Sequence, residues 1–203
     1  QGGRLMASPT IAARTETQHA NSTTLTVNFT QTTGNLVVIF LATDNTARTL
    51  STVGDGFTNL TAASATLHIL YKVLDGSEGG NMAVTVAVAT KGASLAYNIA
   101  GFHSVQMPEF SAVATGTDTG PDPGTVTPTG GAKDYLWLAA FRQNGEEADD
   151  DTWCNSAPAT PSAFGNLIQK TSGTGGLPAT NGSVAAADLA SNASSMNPGV
   201  FNT

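Results

Sequence analysis

Residues Gly34–Asp44 read GNLVVIFLATD, and the run LVVIFLA within them (Leu36–Ala42) is apolar throughout, rich in β-branched side chains and closed at both ends by turn formers. A run this short falls well below the roughly twenty residues a bilayer-spanning helix needs, and its Gly-Asn and Thr-Asp borders bracket a strand. No polar residue alternates within it, so both faces need cover. Leu36–Thr43 is therefore expected at the centre of a sheet, with material packed above and below.

The flanking segments supply that material. Ser22–Thr30 alternates Leu25, Val27 and Phe29 with Thr24, Thr26 and Asn28, a period of two that buries one face and wets the other. Thr10–Gln18 is a second pairing segment before it. On the C-terminal side, Gly54-Asp55-Gly56 turns the chain into Phe57–Leu60, whose aromatic is expected to plug one end of the core. Leu67–Leu74 and Ala83–Ala89 flank the loop DGSEGGN and read as a hairpin. Ser94–His103 and Phe110–Thr117 are expected strands, interrupted by Pro108. The composition shifts at Gly116–Gly131 (GTDTGPDPGTVTPTGG), read as a connection crossing between two sheets rather than an interdomain linker. Asp134–Phe141, Leu167–Thr171 and Ser183–Leu189 complete the strands, and Ala186–Ala193 is the one weak helix candidate. The expectation is an all-β, two-sheet antiparallel sandwich, jelly-roll-like, of about ten strands. Residues 1–9 lack periodicity and read as a flexible arm, leaving 10–203 as one domain.

Composition narrows the function classes. Charged residues are 11% of 203, against a usual quarter, and net charge is −7. With no Lys/Arg cluster, an acidic surface repels phosphate backbones, so no nucleic-acid partner is expected; no membrane partner is expected either. Cys154 is the single cysteine, which excludes an intrachain disulfide and reads as a small buried residue or inert thiol.

Candidate sites are few. Glu146, Glu147, Asp149, Asp150 and Asp151 crowd the loop 145–152, but without the alternating register of a calcium loop, and read as a solvated acidic loop. Asp55 and Asp75 stand beside glycines and read as turn-capping groups. His68, alternating with Leu67 and Ile69, is expected to face solvent or a neighbouring chain, while His19, His68 and His103 lack ligand-pair spacing. No nucleophile elbow, phosphate loop or dinucleotide fingerprint occurs, so no catalytic residue, metal or cofactor is assigned. Tyr135, Trp137 and Trp153 are the candidate glycan-stacking or interface aromatics, with Tyr135 and Trp137 sharing one strand face and Leu136 and Leu138 the other.

In order, the blocks GNLVV (Gly34), GFT (Gly56), YKVLDGSE (Tyr71), PDPGTVTP (Pro121), DYLWLAA (Asp134) and SSMNPGVF (Ser194) resemble a β-sandwich domain widespread among predicted bacteriophage virion proteins and some bacterial surface proteins. Asn35 and Phe57 stand where that family usually has Asp and Trp. The family continues past its P-G-x-F segment into one further apolar strand, so that strand is expected either beyond this sequence or as a vacant position that a neighbour covers. The resemblance implies a non-enzymatic structural virion protein, a capsid decoration or cement protein on the shell exterior. Its expected partners are the major capsid protein and copies of itself, as a trimer at threefold sites. The competing expectation is an extracellular carbohydrate-binding or adhesin module, such as the receptor-binding part of a tail fibre, with a glycan as partner.

Overall fold

The computed structural model describes residues 8–44, 46–103, 107–113, 120–144, 151–172 and 181–203, so the expected arm is described only from Ser8 onward. The apolar run forms strand β2 (Leu36–Thr43), and every one of its residues is buried. It is flanked on both edges by antiparallel strands, β6 (Leu67–Val73) and the second half of β7 (Asn81–Ala100).

Curvature of the long strands provides the two coverings. Strand β1 (Thr10–Asn28) pairs antiparallel along β7, with breaks in register between His19, Ser22 and Thr24. At those breaks both strands bend over the top of the sheet. Their other halves, with β3 (Arg48–Val53) on the edge of β7, come back over β2 as a second layer. Leu25, Val27, Met82 and Val84 from that layer meet Val37, Ile39 and Leu41 of β2 in a first core. Phe57 plugs one end of this core, its ring 5.4 Å from Phe29. Two short pairings finish the large sheet, β4 (Thr58–Asn59) on β6 and β5 (Ser64–Ala65) on β3.

The opposite face of β2 and β7 carries Leu36, Val38, Phe40, Leu95 and Tyr97, and packs against a second antiparallel sheet. That sheet has the order β8 (Lys133–Asn144), β10 (Gly182–Ala193), β9 (Gly165–Lys170). Its outer face is itself covered, by segments bringing Cys154, Phe164, Met196 and Phe201 onto Trp137, Phe141, Ala185 and Ala187. The fold is thus an all-β antiparallel sandwich of a curled large sheet and a small one. Gly101–Ala132 joins β7 in the first to β8 in the second.

Several expectations need correction. The segments read as Thr10–Gln18 with Ser22–Thr30, and Ala83–Ala89 with Ser94–His103, are two continuous strands; a bend interrupts the side-chain pattern as a turn does. Leu67–Leu74 and Ala83–Ala89 are not a hairpin. β2 is antiparallel to both β6 and β7 and lies between them, so the DGSEGGN loop carries the chain to the other layer. Phe110–Val113 is not a strand, and residues 114–117 of that expectation lie outside the described residues. Ala186–Ala193 is strand, not helix. As part of the middle strand of the small sheet, its alanines let both coverings approach closely. Strand β3 has no counterpart in the sequence reading, because RTLSTV contributes only Leu50 and Val53 to the core.

Candidate binding cleft

Strands β9 and β10 approach the large sheet more closely than β8, whose Leu136, Leu138 and Ala140 pack half-buried against the second core. A cleft of about 1360 Å³ borders β8. Its floor is Leu36, Val38 and Phe40 of β2 with Leu67 and Ile69 of β6, alternate residues of one sheet face. The β8 wall is different in kind. Leu136, Leu138 and Ala140 come from its inner face, but Trp137 and Phe141 from its outer face also line the cleft. A wall built from both faces of a strand is the strand's edge. Pairing is consistent with this: among the described residues β10 is the only strand joined to β8, and over Asp134–Arg142 no other backbone hydrogen bond is found.

The remaining wall comes from the connection between the sheets. Met107, Phe110 and Val113 line it and are 44%, 42% and 42% exposed. Two carboxylates at this rim have structural partners: Glu109 accepts from the Thr129 amide at 2.9 Å and hydroxyl at 2.6 Å, and Asp134 accepts from Asn192 at 2.9 Å. The cleft offers mainly apolar surface, with backbone polar groups and the side chains of His103, Asp122, Lys133 and Arg142 among its lining.

Of the sequence-nominated aromatics, Tyr135 and Trp137 line the cleft from the outer face of β8, and Trp153 lies behind it. Trp137 is 7% exposed and donates its indole N–H to the Ser191 carbonyl at 3.3 Å. Tyr135 meets it edge-on at 5.1 Å, and Trp153 meets Phe141 at 5.3 Å. Parity places Tyr135 and Trp137 on the outer face and Leu136 and Leu138 on the inner one, as the alternation indicates. All three aromatics belong to the core outside the small sheet, with Tyr135 and Trp153 half-buried.

The titratable groups are mostly structural. His68 is fully buried, contrary to the expected exposure, because the curled sheet covers the face of β6 that alternation would leave wet. Burial holds it down to about 4. His19 is held down to about 4 by the same cause, with Nε2 3.0 Å from the Ser94 hydroxyl. Both members of this serine–histidine pair are buried, so no substrate reaches it. His103 is exposed beside the cleft. Burial pushes the Cys154 thiol up to about 11, leaving it an unreactive packing residue. Among the described residues no three His, Cys, Asp or Glu side chains gather as a metal site. Residues 145–150 of the acidic loop lie outside the described residues. Asp151 pairs with Lys170 at 2.5 Å and accepts from the Thr171 amide at 3.0 Å.

The sequence reading passed over Glu78. Its carboxylate is buried and accepts from the amides of Asp75 at 3.2 Å and Gly76 at 3.0 Å, and it pairs with Lys72. Asp75 caps the Ser77 amide at 2.9 Å, a turn role like that expected from its place beside Gly76. Asp55 sits in the left-handed region at φ 53 within its turn. YKVLDGSE is therefore a loop clamp. The local spacing of Lys72, Asp75 and Glu78 was the signal that could have revealed it. No protein-family model, curated protein or solved structure matches the chain.

Proposed function

We propose that the protein is a non-enzymatic structural component of a bacteriophage virion, a decoration or cement protein on the capsid exterior that binds the major capsid protein and bridges its subunits. The observation that carries this reading is the apolar cleft with Met107, Phe110 and Val113 exposed at its rim. Contiguous exposed apolar surface on a folded domain marks a place where another surface packs. The order of sequence blocks that resembles phage β-sandwich domains supplies the setting. Docking repeated around a shell stabilises it by burying area, with a standard contact of about 1,600 Å² at each position and no catalytic group needed. A trimer of this chain would match a threefold site.

The carbohydrate-binding alternative draws on Tyr135, Trp137 and Trp153. Their membership of a core counts against it, since sugar stacking needs an open ring face. Imaging native particles at a resolution that traces the chain tests the proposal. Regular density for this domain on an icosahedral shell is expected. Density only at a fibre tip or cell surface, together with glycan binding on an array, would replace the proposal with the adhesin reading.

A further inference from the structure

We infer that the cleft is a strand-acceptor groove: an extended segment of a partner polypeptide, apolar at every second position, adds to the outer edge of β8 and sets its apolar side chains against the exposed rim of Met107, Phe110 and Val113. The inference rests on the assembly reading only for the source of the segment, a shell subunit. The groove itself follows from the geometry.

Three observations select this occupant. First, the wall contains both faces of β8, and over Asp134–Arg142 the backbone groups on its outer edge have no backbone partner among the described residues; a neighbouring strand satisfies such a row in register. Second, the surface left open is apolar: Met107, Phe110 and Val113 are exposed on the cleft wall above a floor that is already buried, and a strand paired to β8 turns every second side chain toward that wall. Third, the size fits. A residue in a sheet layer fills about 160 Å³, given strand spacing near 4.8 Å, sheet spacing near 10 Å and a rise near 3.4 Å. The cleft of about 1360 Å³ then holds roughly eight residues, and exceeds the pockets of about 300–1,000 Å³ that small molecules occupy.

Magnitude also indicates how such a contact would be used. Roughly eight extended residues run about 27 Å and bury on the order of 400 Å² on each side, about half of a standard interface. One strand in one groove is a labile contact. Repetition across linked sites on a shell converts it into a lasting one.

The test uses the purified full chain and a displayed library of random octapeptides. Selected peptides are expected to carry apolar residues at alternate positions. Bound, they should slow hydrogen exchange at least tenfold at the β8 amides that face away from β10. N-methylation of alternate peptide residues preserves the side chains but removes main-chain donors, and should weaken binding at least tenfold. No enriched peptide, or peptides that leave the β8 amides unprotected, would overturn the inference. Equal binding by the N-methylated peptide would reduce the groove to an apolar pocket, and a dimer of the chain that peptide dissociates would make a second copy the occupant; either result sinks the partner-strand proposal. None of these measurements needs particles, so failure of the groove and failure of the virion reading are separable.

Discussion

Glu78 carries a carboxylate into the protein and holds it there with two backbone amides and Lys72. Burial alone would raise its pKa, but the Lys72 and amide bonds outweigh that and keep it below the usual range. Glu78→Gln should therefore cost about 2 kcal/mol, read as a lower urea midpoint at unchanged slope. Asp75, held down to about 2 by its bonds to Ser77 and Lys72, belongs to the same clamp. Because both carboxyl groups titrate lower folded than unfolded, their contribution is complete above about pH 4.5 and disappears as pH falls toward 2. The histidines act in a higher window. His19 and His68 titrate near 4 when folded against about 6.5 when unfolded, so acid protonates the unfolded chain first. Each should remove roughly 3 kcal/mol between pH 6.5 and 4. His19→Gln, which cannot titrate, should be less stable at pH 7 yet lose its share of that slope in urea titrations across the range. Alternation was enough to assign faces to Tyr135 and Trp137. It failed for His68, because it says which face a residue takes and nothing about what lies on that face.

Among the elements, the bend shared by β1 and β7 turns one sheet into two layers. Gly92 lies at the bend, where an added Cβ would collide with the Ala42 carbonyl of β2. Gly92→Ala is expected to lower stability by roughly 2–4 kcal/mol in thermal or urea unfolding. Gly79→Ala is the matched control: nothing lies within 4 Å of its Cβ position, so the change should be neutral or slightly stabilising. The two sheets are tied by Arg14 of β1 and Asp188 of β10 at 2.5 Å, with Asn166 donating to the same carboxylate at 3.0 Å. Asp188→Ala leaves the Arg14 charge against Tyr97 without its partner, and should cost about 2–3 kcal/mol, discounted because Arg14 is 28% exposed. Strands whose pattern is uniform, such as β2 and β8, were legible in the sequence nearly to their ends. Strands that bend were legible only as halves, because the side-chain alternation breaks where the backbone turns a corner.

For the whole molecule, the assembly proposal extends to residues 1–7, the part of the arm expected over residues 1–9 that lies outside the described residues. Deleting them should weaken binding to particles while leaving the melting temperature of the free domain within about 2 °C, since Ser8 is exposed and the first strand begins at Thr10. A large drop in melting temperature would assign the segment to the fold instead. Binding unchanged by the deletion would remove the arm from the docking model. The cleft was invisible to sequence reading for a plain reason. It is bounded by β2, β6, β8 and the sheet-to-sheet connection, segments brought together from four parts of the chain.

What the sequence determined by itself was local: an all-β chain, a doubly covered β2, the faces of β8, and glycine-rich turns between short strands. These follow from side-chain period and backbone sterics, which act over a few residues. The tertiary structure decided which strands are neighbours, that β1 and β7 fold over to make the second layer, and that His68 is buried. It also decided that the edge of β8 borders an apolar cleft. Those features depend on long-range pairing and on how two sheets pack, and no stretch of contiguous residues encodes either.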